Sequence, residues 1–256
     1  MNQASEEQIK TTALDHHGLI AAVCKDLKIA ARIDSYLKPD AQRKVSPGIA
    51  VVAMIINGLG FTNRRLYLTH QFFEPKPVKR LLGEHLEAKD ITDYTLGHAL
   101  DDIAEYGSSK LFAEVAFGVA LDNHLLSSKN HLDTTSISVH GKYEVDDDPA
   151  ILEINHGFSK DHRPDLKQFV LSLVVNGPSS IPLWMDPLSG NSSDKVSFHE
   201  TIKNVESFKK EINLEGDFKW IADSALYTKD KLLKNNDCIW VTRVPETITE
   251  AKKLVE

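Results

Sequence analysis

Cysteine is almost missing from this chain. Cys24 and Cys238 stand far apart and form no CxxC pair, so neither a disulfide framework nor a structural zinc site is indicated, and a reducing cytoplasm fits best. Long apolar runs are lacking too. The longest, Ile49 to Ile56, falls far short of the roughly 20 residues a membrane span needs, so no membrane partner is expected. The opening segment MNQASEEQIK is polar and mixed in charge, unlike a secretory signal. No P-loop, GxGxxG, GxSxG or HExxH occurs, and the histidines are scattered without metal-ligand spacing. His16-His17 reads as a surface feature near a helix start.

An excess of positive charge is also absent. The formal net charge of −7 argues mildly against a nucleic-acid partner, because phosphate binding favours basic surfaces. The balance is uneven, however. Arg43/Lys44, Arg64/Arg65, Lys76/Lys79/Arg80 and Lys160/Arg163/Lys167 form local basic clusters. A carboxylate-lined metal site would itself add negative charge that cations neutralise, so net charge does not decide the question. What is present is a globular composition. With 256 residues, 41% hydrophobic and 26% charged, the chain has room for one large domain or two ordinary ones.

Residues 1–127 read as an all-α domain. LIAAVCKDL and IAARIDSYL carry apolar residues at three- and four-residue spacing, and Pro39 closes the second. Ser46-Pro47 supplies a capping serine and a proline at the first helical position. The helix that follows, GIAVVAMII, is apolar nearly all round, predicts a buried centre, and ends at Asn57-Gly58. Thr92 caps a helix through Tyr106 with Leu96, Leu100, Ile103 and Tyr106 as its stripe. A last helix is expected over Lys110 to Leu126.

From residue 128 the period changes. After His131, Asp133, Thr135, Ile137 and Val139 point one way and Thr134, Ser136 and Ser138 the other. Further strands are expected at Phe169–Val175, Ile181–Met185, Phe218–Asp223 and Cys238–Val244. A helix is expected from the Ser197–Glu200 capping box, with Phe198, Ile202, Val205, Phe208 and Ile212 on one face, and a short one over Thr228–Asn235. Asp146-Asp147-Asp148 reads as a solvated loop. Three antiparallel strands followed by helix, strand, helix, strand let a right-handed crossover set the fourth strand beside the first. This is the ribonuclease H-like plan for residues 128–256: an α/β mixed sheet of three antiparallel then two parallel strands, preceded by the all-α domain.

In that plan Asp133 in the first strand and Asp223 at the end of the fourth, 90 residues apart, come side by side. Two neighbouring carboxylates stay ionised only with cations between them, and Mg²⁺ or Mn²⁺ suits an oxygen-only site. A pair of such ions clamps the attacking and leaving oxygens of a phosphodiester. The bland alternative is that each aspartate caps the element it ends. Between them, Lys160, His162, Arg163 and Lys167 in KDHRPDLKQ are candidates for holding DNA phosphates. The alternative is a solvated turn in which Asp161 and Asp165 pair with those cations.

HLDTTSISVHGKYE, INHGFSKDHRPDLKQFVLSLVVNG, IPLWMDPLSGNSSDK, WIADSALYT and WVTRVPET, in this order, resemble the catalytic core of bacterial insertion-sequence DDE transposases. The resemblance is to the group in which a helical domain of uncharacterised role precedes the core. It implies a ribonuclease H-like fold, two divalent metal ions, and cleavage and strand transfer at element ends. Asp133 then corresponds to the first catalytic carboxylate and Asp223 to the second, both as metal ligands. Implied partners are double-stranded DNA, as terminal repeats and target, and a second copy of the chain on that DNA. A cytoplasmic protein of a bacterium or archaeon, nucleoid-associated when bound, is the implied setting. The family's third carboxylate, a glutamate in a later tyrosine- and arginine-containing motif, has no counterpart here. Glu246, Glu250 and Glu256 are not promoted to that role. The expectation is a C-terminally truncated transposase inactive alone, with a DNA-binding or dimerising remnant that inhibits the full-length enzyme as the alternative.

Overall fold

The computed structural model describes residues 11–60, 63–143, 152–224, 227, 238–245, 248, 249 and 253. Contacts divide the chain into two units, Met1–Leu111 and Phe112–Glu256. The acidic run Asp146–Asp148, the expected helix over Thr228–Asn235 and the glutamates 246, 250 and 256 lie outside the described residues.

The first unit is helical: α1 (His17–Asp26), α2 (Ile29–Leu37), α3 (Pro47–Gly58), α4 (Thr69–Phe73), α5 (Val78–Leu82) and α6 (Asp93–Tyr106). Its centre is α3, whose Ala50, Val52, Ala53 and Ile56 are buried among Phe72, Phe73, Leu81, Leu86, Ile91 and Leu96. Each Val or Ile side chain fully buried there contributes about 1.5–3 kcal/mol. Ser46 caps α3 as expected, its Oγ accepting from the Ile49 amide at 3.3 Å. A second cap comes from another helix. Asp34 of α2 accepts from Ser46 Oγ at 2.6 Å and from the Gly48 amide at 2.7 Å, placing a carboxylate at the positive end of α3. Gly48 permits this approach, because a Cβ there would lie 2.2 Å from the Ala30 carbonyl oxygen. Asn57 ties the far end of α3 to Arg64, donating to its carbonyl at 2.7 Å and accepting from its amide at 2.9 Å. Helix α6 starts at its Thr92 cap, but its buried residues are Leu96 and Ala99. Leu100, expected in the apolar stripe, is exposed, because three-residue spacing from Leu96 points Ala99 inward instead.

Helix α7 (Ser108–Asp122) crosses the division between the units and begins two residues before its expected start. It stops before the expected Leu126, where His124 adopts a left-handed conformation (φ 54°). Ala113, Phe117 and Ala120 of α7 belong to the core of the second unit, which explains why contacts divide the chain at 111 while the composition changes near 127.

The second unit is a five-stranded sheet: β1 (Lys129–Val139), β2 (Lys167–Asn176), β3 (Ile181–Ser189), β4 (Lys219–Ala222) and β5 (Ile239–Thr242). Their order across the sheet is β3-β2-β1-β4-β5. β1–β2 and β2–β3 are antiparallel; β1–β4 and β4–β5 are parallel. This is the ribonuclease H-like topology: three strands in a meander, then a crossover that sets β4 beside β1. Pro182 and Pro187 lie on β3, an outer strand.

The crossover helix α8 (Asp194–Glu211) buries Phe198, Ile202, Val205 and Phe208 against Leu132, Val174, Leu183, Phe218 and Trp220. It begins three residues before the expected Ser197. The Ser197 amide already donates to the Ser193 carbonyl, so the S-x-x-E pattern lies inside the first turns and does not mark the helix start. At the other end Lys209 is buried, donating to Glu206 Oε2 at 3.0 Å and the Gly216 carbonyl at 2.8 Å, over the Phe218 ring. Trp220 Nε1 donates to the second oxygen of Glu206 at 3.1 Å. No helix among the described residues is long and apolar enough to cross a membrane.

Candidate functional site

Alternation along β1 places Asn130, Leu132, Thr134 and Ser136 on the covered face and His131, Asp133, Thr135 and Ile137 on the other. The Asp133 side chain is 81% exposed. On its face its cross-strand neighbour is Leu173 of β2, with Leu171 and Val175 to either side, all half-buried. The parallel pairing of β1 with β4 runs from Lys129–Lys219 to Leu132–Ala222. One step further in the same register stand Asp133 and Asp223. Neighbouring strands lie about 4.8 Å apart, so this register, if continued one step past its end at Leu132–Ala222, would set the two predicted carboxylates side by side. Asp223 is exposed and follows β4 directly, with its carbonyl accepting from the hydroxyl of Thr242, the last residue of β5.

Because β4 stops at Ala222, no strand among the described residues pairs with β1 beyond Leu132 on that side. Local groups fill the vacancy. The Thr134 amide donates to Asp133 Oδ1 at 2.7 Å, folding the carboxylate along the edge. The Lys160 ammonium donates to the Thr134 carbonyl and, at 3.1 Å, to its hydroxyl. The same ammonium lies 3.7 Å from Asp133 Oδ1. A positive charge thus sits on β1 beside one of the two carboxylates.

Lys160 belongs to the loop joining β1 to β2, and several bonds fix its course. The Lys160 amide donates to Ser136 Oγ at 3.2 Å. Gln168, buried at 1% exposure, donates to the Phe158 carbonyl at 3.2 Å and to the Gly190 carbonyl at 2.8 Å. Gly157 passes so close to Gly190 that a Cβ on it would lie 1.9 Å from the Gly190 carbonyl oxygen. His162 takes a left-handed conformation (φ 56°) at the turn.

Two of the other predicted phosphate-binding cations, Arg163 and Lys167, have local partners. Arg163 makes a two-pronged bond to Asp165, at 2.9 and 2.8 Å, and this bond first of all holds the Asp165 carboxyl down to about 2. Lys167 donates to the carbonyls of Lys142 and Tyr143. His162 is exposed. For Arg163 this is the solvated-turn pairing, although an exposed pair of this kind yields readily to a phosphate. Among the described residues, no three His, Cys, Asp or Glu side chains gather where they would hold a metal ion.

Thr134, Ser136 and Gln168 were not singled out from the sequence, although they fix the loop to the sheet. Their only local signal is polar character on the face of β1 and β2 that also carries Leu132 and Val174. Phe158, 88% exposed within a polar segment, was likewise passed over.

A family model described as a domain of unknown function, DUF4277, matches residues 9–117, less than half of the chain. A search of curated proteins finds no match. Among solved structures, the Mos1 transposase paired-end complex with left transposon end is similar over 91% of this chain and 78% of that one, at 12% identity and a TM-score of 0.29. The piggyBac transposase synaptic complex with hairpin DNA is similar over 98% of this chain but 47% of that one, at 11% identity and a TM-score of 0.33. The Mos1 mariner paired end complex with Mn gives 91% and 79%, 12% identity and 0.30. Likeness at this level carries no argument about activity. The fold assignment above rests on strand order and register.

Proposed function

We propose that this chain is an insertion-sequence DNA transposase of the DDE type, acting on double-stranded DNA at element ends. The observation that carries the reading is the parallel β1–β4 register, whose continuation by one step would set Asp133 beside Asp223. The donor chemistry fits Mg²⁺ or Mn²⁺. Both groups are exposed carboxylates and offer only oxygen, and their mutual repulsion calls for a cation. When bound, two divalent ions at such a pair supply charge stabilisation for in-line attack on a phosphodiester.

The chain's own residues do the remaining work. The Thr134 amide orients the Asp133 carboxylate, and the Lys160 ammonium offsets carboxylate repulsion beside Asp133. Arg163, with His162 and Lys167 nearby, offers a phosphate the fork that Asp165 holds in its absence. Joining two element ends to one target calls for two copies of the chain on the DNA, and a homodimer is the assembly proposed.

One observation favours a second reading, a polypeptide that binds element ends but does not cut them. No third acid joins the pair among the described residues. The experiment that separates the readings is nicking of a labelled duplex carrying the element's terminal repeats, in Mn²⁺. Cleavage by the wild type that disappears in both Asp133→Ala and Asp223→Ala supports the enzyme. End-specific binding without cleavage by the wild type supports the non-catalytic reading. Neither binding nor cleavage would sink both.

A further inference from the structure

We propose that Phe158 is a stacking platform for a nucleobase that has left the duplex, placed to hold a single-stranded DNA end near Asp133. The inference rests on the DNA-directed function proposed above and names the part of the DNA that the loop reads.

Phe158 is 88% exposed, the highest value of any large hydrophobic residue described. Leaving a phenylalanine ring in water forgoes the burial that stabilises most such side chains. Its backbone, by contrast, is fixed. The Phe158 carbonyl accepts from the buried Gln168 side chain, and Gly157 passes within contact distance of Gly190. Two residues on, Lys160 is bound to Ser136 through its amide and to Thr134 through its ammonium. An exposed aromatic on a backbone anchored from both sides is a preorganised flat surface, because little freedom remains to be lost on binding.

Its surroundings select the ligand. Lys160, His162, Arg163 and Lys167 follow within nine residues, a cationic setting for a phosphate backbone. The Lys160 ammonium, from a residue two positions after Phe158, lies 3.7 Å from Asp133 Oδ1, so a base stacked at Phe158 belongs to a strand passing near Asp133. Every base has a π-face, whereas a paired base offers none of it to a side chain beside the duplex. The ligand is therefore an unpaired base.

The test uses the whole chain in Ca²⁺, with two fluorescein-labelled probes: a blunt 30-base-pair duplex and the same duplex with a four-nucleotide single-stranded tail. Phe158→Ala is expected to weaken binding of the tailed probe about tenfold while leaving the blunt probe within about twofold. Phe158→Tyr restores binding, whereas Phe158→Leu, apolar but not aromatic, behaves as alanine. A 2-aminopurine in the tail is quenched by the wild type and not by Phe158→Ala. Equal loss on both probes, or no loss on either while the wild type binds, overturns the stacking role alone. Failure of the wild type to bind either probe overturns the DNA reading with it. Because the ring is exposed, Phe158→Ala should keep the wild-type circular dichroism and melting temperature.

Discussion

On the covered face of the sheet, Asn130, Thr134, Ser136, Ser172 and Asn176 are buried polar residues beside Leu132, Val174 and Trp220. On the opposite face Leu171, Leu173, Val175 and Ile221 are apolar and only half-buried, around an exposed Asp133. Apolar character alone therefore does not separate the two faces. Several polar groups of the covered face are satisfied internally. Asn176 donates to Asn130 Oδ1 and to the Ser127 carbonyl, both at 2.8 Å, and Ser172 meets Thr201 of α8 at 3.1 Å. Its stability is built on matched hydrogen bonds as well as packing, so each such group is costly to orphan. The open face carries few such obligations and can tolerate a charged pair.

The largest expected contrast comes from Glu206 and Lys209. Glu206→Ala leaves the Lys209 ammonium buried with one anchor lost and should destabilise the second unit by about 3–5 kcal/mol, read by urea unfolding. Asp133→Ala on the open face should change stability by less than about 0.5 kcal/mol in the same assay. Equal costs for the two would erase the distinction between the faces. Next in size, Ser172→Ala and Thr201→Val should each cost about 1–3 kcal/mol, with the double variant costing less than their sum. Strict additivity would mean the hydroxyls do not interact.

The helical unit supplies a control that depends on pH and not on either face. Burial, reinforced by Lys76, lowers the affinity of the His17 imidazole for a proton below its ordinary value near 6.5. The unfolded chain then binds the proton more readily. Stability is full above about pH 6.5 and declines as pH falls below it. Melting between about pH 7.5 and about pH 5.5 should show this loss, and His17→Phe, which keeps the aromatic contact to Phe72, should reduce it. The smallest effect is electrostatic. Removing the ammonium beside Asp133 in Lys160→Met should tighten Mn²⁺ binding by up to about fivefold, measured by electron paramagnetic resonance of free Mn²⁺. Weaker Mn²⁺ binding would mean that Lys160 matters chiefly for holding the loop.

Local pattern revealed much of this arrangement. The alternation through β1 sorted its residues into the correct two sets, the Ser46 and Thr92 caps marked true helix starts, and the order of elements implied the crossover that sets β4 beside β1. What local pattern could not reveal is chosen by distant partners. Asp34 reaches a helix end that begins 13 residues later, at Pro47. Lys160 crosses 26 positions to Thr134, and Gln168 crosses 22 to Gly190. Ser197 resembled a helix start because a capping box is defined by spacing, whereas the helix already under way from Asp194 is defined by hydrogen bonding. Leu100 was misplaced for a related reason: small Ala99 fills the position facing α3, and a count of large apolar residues overlooks it.

The prolines of β3 give the sheet a direction of growth. Each lacks the amide that a docking strand would use, so the outer margin of β3 is a poor template at Pro182 and Pro187. β5, with the sequence IWVT and exposed Ile239 and Val241, keeps every amide. An extended peptide added to this sheet, from the same polypeptide or from another molecule, should therefore register against β5 and lengthen the parallel half.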